Sequence, residues 1–232
     1  LPHLEAHAPM LRRTIATAAV ALAAAAAPAA AQSTTLVAPT SNTCVANGFG
    51  NTSFLTFAYA VTAGFGTFTP LAGGACVQGY GTGYGTLSSA FWSNGTNGSA
   101  ASSDVLQITA TAVDPGATVT LASLLTADWS RGAGTVHGVR VYSLGGTLLF
   151  SQDQALAGSS LAGRTLSWAP NVSATGGLRV QWGTDPYYVG ANNFAFSVAG
   201  GSAVVPEPSS YALVATGLAG LAAWRRRRAR TA

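Results

Sequence analysis

Few side chains in this chain have the types and spacing that catalysis needs. His137 is the sole histidine between residues 32 and 205, and it lies in the alternating run VHGVRVYSL, which is typical of a strand. A nucleophile needs a base beside it, and the sequence has neither a Gly-x-Ser-x-Gly motif nor a pair of neighbouring carboxylates in this segment. We therefore predict no catalytic residue and a protein that is not an enzyme.

The same segment carries aspartates that are far apart in sequence: Asp104, Asp114, Asp128, Asp153 and Asp185. A glycan-active hydrolase that brings two of them within about 5–10 Å in an aromatic-lined cleft is the alternative to a non-enzymatic protein. No His/Cys spacing indicates zinc and no Asp-x-Asp loop indicates calcium, although one loop carboxylate with carbonyl groups at Asp128 or Asp185 would be enough for a calcium site. We expect no metal and no cofactor.

Aromatic side chains next to turn residues are the stronger candidates for binding. Trp129 lies in ADWSRG, and Tyr187 and Tyr188 lie in WGTDPYY. Exposed aromatic rings stack on the apolar faces of sugars, so these three residues form a candidate polysaccharide site. Packing in a core is the alternative for each of them, and it is the favoured interpretation for Trp168 and Trp182 at strand ends.

The elements that carry these residues are predicted to be strands. Apolar and polar residues alternate over 53–61, 105–113, 118–125, 136–144, 147–151, 164–168, 178–182 and 194–200. The turn sequences VDPGA (113–117) and SLGGT (143–147) predict hairpins between the strands they join. This pattern predicts an all-β fold, an antiparallel β-sandwich of the jelly-roll kind, with an up-and-down barrel as the alternative.

Two segments that mix glycine with aromatic residues do not fit the strand pattern. GFGTFT covers residues 64–69 and GYGTGYG covers residues 79–85, and the sequence leaves their structure and function open. Self-assembly into fibres or adhesin subunits through such a segment is a further alternative function. An exposed, unprotected edge strand would indicate it.

The N-terminal part has the pattern of an export signal. A basic pair precedes an alanine-rich apolar run, and small residues follow at Ala29 and Ala31. The pattern predicts a signal peptide over residues 1–31, with translation starting at Met10 and cleavage before Gln32. Signal peptidase and the general secretion machinery are the partners that this prediction requires.

The C-terminal end combines a short motif, an apolar run and a basic cluster. Pro206, Glu207 and Pro208 precede a run that is apolar from Tyr211 to Trp224. The arginines that follow are Arg225, Arg226, Arg227, Arg228 and Arg230. Because basic residues stay on the cytoplasmic side of a membrane, the pattern predicts a single transmembrane helix, with the arginines as a cytoplasmic stop and the preceding residues outside.

This order of motif, apolar run and arginines resembles the C-terminal sorting signal of bacterial PEP-CTERM proteins, a segment also labelled ice-binding protein C-terminal domain. The resemblance implies processing near residues 206–208 by an exosortase and a transient tether in the inner membrane. It also implies delivery to the cell surface or the exopolysaccharide matrix. Residues 104–198 resemble, more loosely, the β-sandwich passengers found ahead of such tails.

Once both terminal signals are assigned, the charge of the chain does not indicate a nucleic-acid partner. The formal net charge is +4, but residues 32–205 carry four arginines against five aspartates, about −1. The predicted organisation is a β-sandwich over 32–198, best supported over 104–198, a linker over 199–205 and a sorting and anchor segment over 206–232. We expect an exported surface or matrix protein with a structural, adhesive or glycan-binding role.

Export also determines the expected state of the two cysteines. Cys44 and Cys76 would lie in an oxidising compartment, where a bridge between them would stabilise the fold by about 2–4 kcal/mol. We predict this disulfide, with two buried free thiols as the alternative.

The sorting motif can be tested by substitution. Replacing Pro206, Glu207 and Pro208 together by alanine leaves the apolar run intact, so a plain membrane anchor would behave as before. If an exosortase reads the motif, the triple variant stays full-length in the inner membrane, while the wild type loses its tail and reaches the surface or medium.

Fractionation and immunoblotting in a host that has the exosortase measure the outcome. Replacing Arg225 to Arg228 by alanine is the control, because it weakens membrane retention and orientation without changing the motif. Equal size and location for the wild type and the triple variant would contradict the sorting prediction.

Overall fold

The described part of the chain contains twelve β-strands. The computed structural model describes residues 31–73, 75–93, 103–129, 136–155, 164–183 and 187–200. The strands are β1 (Gln32–Leu36), β2 (Leu55–Thr62), β3 (Gln78–Tyr80), β4 (Ala90–Trp92), β5 (Val105–Ala112), β6 (Ala117–Asp128), β7 (Val136–Ser143), β8 (Leu148–Ala155), β9 (Thr165–Trp168), β10 (Val172–Thr175), β11 (Gly177–Gly183) and β12 (Val189–Gly200). The predicted signal peptide before Ala31 and the predicted anchor segment lie outside the described residues.

The strands form two antiparallel sheets. Sheet 1 is built around β12, which pairs with β6 along one edge and with β1 and β4 along the other. β3 extends this sheet beyond β4, while β9 and β10 pair with successive parts of β6. Sheet 2 has the order β2-β5-β11-β7-β8. Every strand pairing described is antiparallel, which confirms the prediction of an all-β antiparallel fold.

The two sheets enclose a common core because side chains alternate between the two faces of each strand. In β11, Leu178, Val180 and Trp182 point inward and are fully buried. The ring of Trp182 lies 5.2 Å from the ring of Phe194 in sheet 1. Trp168 is buried as well, so the prediction that both tryptophans at strand ends belong to the core is confirmed.

The two predicted hairpins have different outcomes. β7 and β8 pair across the turn at 143–147, as predicted. The turn at 113–117 instead leads from β5 in sheet 2 to β6 in sheet 1, so the hairpin predicted there is wrong. The turn itself closes locally, with the Ala117 N–H donating to the Asp114 carbonyl at 3.0 Å. Turn residues determine where the chain reverses but not which strands pair. β5 and β6 do not pair with each other because other strands occupy the edges of both.

Four strands, β1, β3, β4 and β10, were not predicted from the sequence. β3 and β4 contain three residues each, which is too few to display alternation. β1 begins at Gln32, the residue predicted to follow signal cleavage, and pairs with β12 along its length. β12 continues to Gly200, so it extends into the predicted linker.

The disulfide predicted from the sequence is present. Cys44 and Cys76 are bridged, with 5.6 Å between their Cα atoms. Cys44 also forms a β-bridge with Gln78 of β3, and the Val45 N–H donates to the Val77 carbonyl at 2.7 Å. These contacts fasten the segment between β1 and β2 along the edge of sheet 1.

One edge of sheet 2 is closed by asparagine side chains. The N–H groups of Phe57 and Tyr59 in β2 donate to the side-chain oxygens of Asn51 and Asn47, at 2.7 and 2.8 Å. The Gly48 N–H donates to the Phe57 carbonyl at 2.8 Å. These bonds occupy the backbone groups that an added strand would need, so this edge is not the unprotected edge expected of a fibre-forming protein.

A buried hydrogen-bond network links the two sheets. Asp128 Oδ1 on β6 is hydrogen-bonded to His137 Nε2 on β7, and His137 Nδ1 lies 2.8 Å from Thr126 Oγ1. The indole N–H of Trp168 donates to the same hydroxyl oxygen at 2.8 Å. The other Asp128 oxygen, Oδ2, is buried without a hydrogen-bond partner in the described part of the chain. Loss of His137 would therefore leave both oxygens of a buried carboxyl group unpaired.

The network predicts that His137 is important for stability. Replacing it by alanine removes the partner of Asp128, so we expect the free energy of unfolding to fall by about 1–3 kcal/mol. Gln154→Ala is the matched control, because Gln154 lies opposite His137 on β8 and is exposed, and it should change stability by less than about 0.5 kcal/mol. Urea denaturation measures both variants. Wild-type stability in His137→Ala would show that the network does not stabilise the fold.

Candidate ligand-binding cleft

The outer face of sheet 1 carries an aromatic cleft. Its volume is about 220 Å³, and its walls are formed by Asn42, Tyr80, Tyr84, Trp92, Trp129 and Tyr187. The alternation of side chains along β6 explains why the Trp129 ring lies on this outer face. Thr126 and Asp128 point into the sandwich, so Ala127 and Trp129 point outward into a second, smaller apolar cluster.

The alternating glycines and tyrosines of residues 79–85 build one wall of the cleft. Tyr80 and Tyr84 line it. A Cβ at Gly83 would lie 2.6 Å from Cζ3 of Trp129, so glycine is needed for that ring to lie against this backbone. Gly83 also has φ +116°, a conformation that other residues rarely adopt. The segment whose role the sequence left open therefore positions both tyrosines and the tryptophan.

The aromatic rings hold one another through close contacts. The Tyr80 ring is 4.9 Å from Trp129 and 5.5 Å from Trp92, both in edge-to-face geometry. The Tyr84 ring is 5.1 Å from Trp129, and the Tyr187 ring is 5.6 Å from Trp92. Each such pair adds about 0.5–1.5 kcal/mol beyond the area it buries, so the walls of the cleft are formed before any ligand enters.

Some polar groups of the cleft are already used within the protein. The indole N–H of Trp92 donates to the Gly79 carbonyl at 3.1 Å. The Tyr84 hydroxyl donates to the backbone carbonyl of Tyr187, which links β3–β4 to the segment before β12. These bonds fix two walls of the cleft relative to each other.

Other polar groups of the cleft remain for a ligand. In the described part of the chain, no protein hydrogen bond engages the side-chain amide of Asn42, the Tyr80 hydroxyl or the indole N–H of Trp129. The described walls contain no aspartate, glutamate, lysine, arginine or histidine. The described walls therefore offer ring faces and a few neutral hydrogen-bonding groups.

The structure brings together two of the three aromatic residues predicted for binding. Trp129 and Tyr187 line the cleft. Tyr188 is not among the lining residues; its ring packs against Tyr187 at 5.0 Å and its carbonyl accepts the Trp129 N–H at 2.8 Å. The lining residues outside that prediction are Asn42, Tyr80, Tyr84 and Trp92. Tyr80 and Tyr84 lay in a segment that alternates glycine with tyrosine, and Trp92 lay next to turn residues in AFWSNGTNGS, whereas nothing in the sequence marked Asn42.

The acid–base residues of the described chain are not part of the cleft. Asp128 and His137 are buried between the sheets, and Asp153 pairs with Arg140 at 2.7 Å on the outer face of sheet 2. Among the described residues, no group of His, Cys, Asp and Glu side chains could hold a metal ion. Of the two aspartates considered for calcium, Asp128 lies within β6 and Asp185 lies outside the described residues.

The other Gly-aromatic segment, residues 64–69, covers the outer face of sheet 2. The guanidinium carbons of Arg140 and Arg179 lie 4.8 and 4.5 Å from the ring centroids of Phe65 and Phe68. Burial raises the pKa of the Tyr142 hydroxyl, which packs against Phe68, and the charge of Arg140 lowers it in part. These contacts fasten the segment to the sheet.

Three solved structures align with part of this chain at low similarity. An arabinose-bound α-L-arabinofuranosidase is 13% identical with a TM-score of 0.36, over 70% of this chain and 27% of that chain. The exo-β-1,3-galactanase of Phanerochaete chrysosporium with galactose is 13% identical with a TM-score of 0.29, over 73% and 29%. Tailspike protein 4 of bacteriophage CBA120 is 14% identical with a TM-score of 0.30, over 68% and 21%. This chain thus spans less than a third of each protein, and no curated protein sequence matches it.

Within the described residues, no helix has the length and hydropathy needed to cross a bilayer, and the predicted transmembrane helix falls outside them.

A family match lies at the C-terminal motif. Residues 204–228 match the PEP-CTERM protein-sorting motif. The match contains Pro206, Glu207 and Pro208 together with the arginines of 225–228. The chain is therefore a protein that carries the PEP-CTERM protein-sorting motif.

Proposed function

We propose that this chain is an exported, non-enzymatic binding protein whose jelly-roll-like sandwich holds a glycan in the aromatic cleft. The PEP-CTERM motif implies recognition by an exosortase and hence export. The observation that carries the glycan-binding role is the cleft itself, with five aromatic rings and one amide side chain around a single cavity.

The composition of the cleft supports a sugar as its ligand. Sugar rings have apolar faces that stack on aromatic side chains and hydroxyl groups that need hydrogen-bond partners. The cleft offers both, because the rings of Trp129 and Tyr80 stand beside the unengaged Asn42 amide. Few precisely placed polar groups in a mostly apolar cavity are typical of small-ligand sites.

The same walls favour binding over hydrolysis. Glycoside hydrolysis uses two carboxyl groups about 5–10 Å apart on either side of the scissile bond. The described walls of the cleft include none, and the buried Asp128 is engaged by His137 on the other side of β6. A hydrolase would need carboxylates from elsewhere in the chain.

The sorting motif suggests where the proposed binding takes place. We propose that the C-terminal helix tethers the exported protein in the inner membrane until an exosortase acts. The sandwich then reaches the cell surface or the exopolysaccharide matrix, where polysaccharide is the available partner. A glycan-binding site would allow it to attach to that matrix.

Trp129 provides the test of the cleft. Trp129→Ala removes a ring wall, so we expect glycan affinity to fall roughly two- to tenfold, while Trp129→Phe keeps an aromatic face and should lose less. A glycan array of the mature protein selects the ligand, and calorimetry with that ligand measures the variants.

Phe49→Ala is the matched control, since Phe49 is a partly exposed ring outside the cleft. Thermal unfolding checks that each variant is folded. Loss of binding in Phe49→Ala with full binding in Trp129→Ala would show that the glycan binds outside the cleft. Absence of binding to every glycan would contradict the proposed function.

A further inference from the structure

A short arch of chain, residues 39–44, brings Asn42 to the cleft. At the start of the arch, Pro39 lies directly on the backbone of Gly79, where a Cβ would be 2.3 Å from the Pro39 carbonyl oxygen. Only a residue without a side chain allows the arch to cross β3 so closely. This crossing places Asn42 beside Tyr80, the neighbour of Gly79, among the cleft walls.

The far end of the arch is held by the disulfide. Cys44 is bridged to Cys76, and backbone bonds lie on either side of it: the Gly79 N–H donates to the Thr43 carbonyl at 3.4 Å, and the Val45 N–H donates to the Val77 carbonyl at 2.7 Å. Residues 40–43 are exposed and belong to no strand, so they add no side chain to the core. Cys44 ends the arch and Val45 lies beyond it, so opening the disulfide should loosen Asn42, while the Val45–Val77 bond keeps the following segment on the sheet and the sandwich folded.

The chemistry of the walls narrows the kind of ligand. An amide donates from its nitrogen and accepts at its oxygen, which matches neighbouring hydroxyls of one sugar ring. A sugar carboxylate would meet the negative faces of the rings and no cation among the described walls. A quaternary ammonium ion would use the ring faces but would leave the amide unpaired. The volume of about 220 Å³ is below the roughly 300–1,000 Å³ of sites for drug-sized ligands, which suits a single ring.

We infer that the cleft takes one uncharged sugar unit and that Asn42, held in place by the Cys44–Cys76 disulfide, selects it through its hydroxyl groups. This inference rests on the proposed glycan-binding function and specifies its ligand class. Asn42 is the specificity-determining residue, and the two cysteines are positioning residues that act through it.

The first experiment compares neutral and acidic sugars. Methyl glycosides of neutral hexoses and the matching hexuronic acids are titrated into the exported protein and followed by ligand-observed NMR. Asn42→Ala should weaken the best neutral hexoside about three- to tenfold, the loss expected for one neutral hydrogen bond. Thr40→Ala, an exposed residue of the same arch outside the cleft walls, is the matched control and should bind like the wild type.

The second experiment tests the disulfide through a double-mutant cycle. Replacing Cys44 and Cys76 by serine should weaken neutral hexoside binding by about as much as Asn42→Ala. Adding Asn42→Ala to that variant should then cause no further loss, because the amide is already displaced. If the serine variant does not fold, reduction of the folded wild type, with thiol labelling to confirm opening, gives the same comparison.

The outcomes separate this inference from the proposed function. Binding that depends on Trp129 but is unchanged by Asn42→Ala or by opening the disulfide would overturn the inference alone. Equal or tighter binding of the hexuronic acids, or of tetramethylammonium, would also overturn it. Absence of binding to any sugar would remove the proposed function as well. Additive losses from Asn42→Ala and the serine substitutions would show that the disulfide does not act through Asn42.

Discussion

The hydrogen bond between Asp128 and His137 joins the two sheets at the end of the sandwich where the cleft lies. Because side chains alternate along a strand, holding the Asp128 side chain inward fixes the next side chain, Trp129, on the outer face. The backbone at this point is held as well, since the Asp128 carbonyl accepts the Gly85 N–H at 3.1 Å and the Trp129 N–H donates to Tyr188 at 2.8 Å. One strand end therefore carries both a link between the sheets and a wall of the candidate site.

The two Gly-aromatic segments pack in the same way on opposite faces of the sandwich. Each lies over the outer face of a sheet, where close approach of backbone to ring requires glycine. Gly83 leaves room for the Trp129 ring on sheet 1, and Gly138 in sheet 2 leaves room for Phe65, whose ring would be 2.8 Å from an added Cβ. The outcomes differ in chemistry. Arginines fill the space against the rings on sheet 2, whereas the described walls of the cavity on sheet 1 carry no charged side chain.

The sequence predicted those parts of the structure that depend on local pattern. Alternation identified the long strands and the antiparallel all-β class, and the turn sequence SLGGT (143–147) identified the β7–β8 turn, where Gly146 has a positive φ in the structure. The sequence could not predict that the turn after β5 leads to a strand of the other sheet, because strand pairing depends on partners that are distant in the chain. The sequence marked only some of the residues that line the cleft, because the others come from distant parts of the chain. Trp129 and Tyr187 stood beside turn residues, but Asn42 reaches them through contacts between residues that are far apart in sequence.

Export and the cleft are connected through the disulfide. The PEP-CTERM motif implies a protein that leaves the cytoplasm, and thiols become oxidised only beyond the inner membrane. The Cys44–Cys76 bridge closes the arch that carries Asn42, while the aromatic walls lie on or beside β3, β4, β6 and β12. If the bridge positions Asn42 as inferred, the complete site forms only after export, where the disulfide can form.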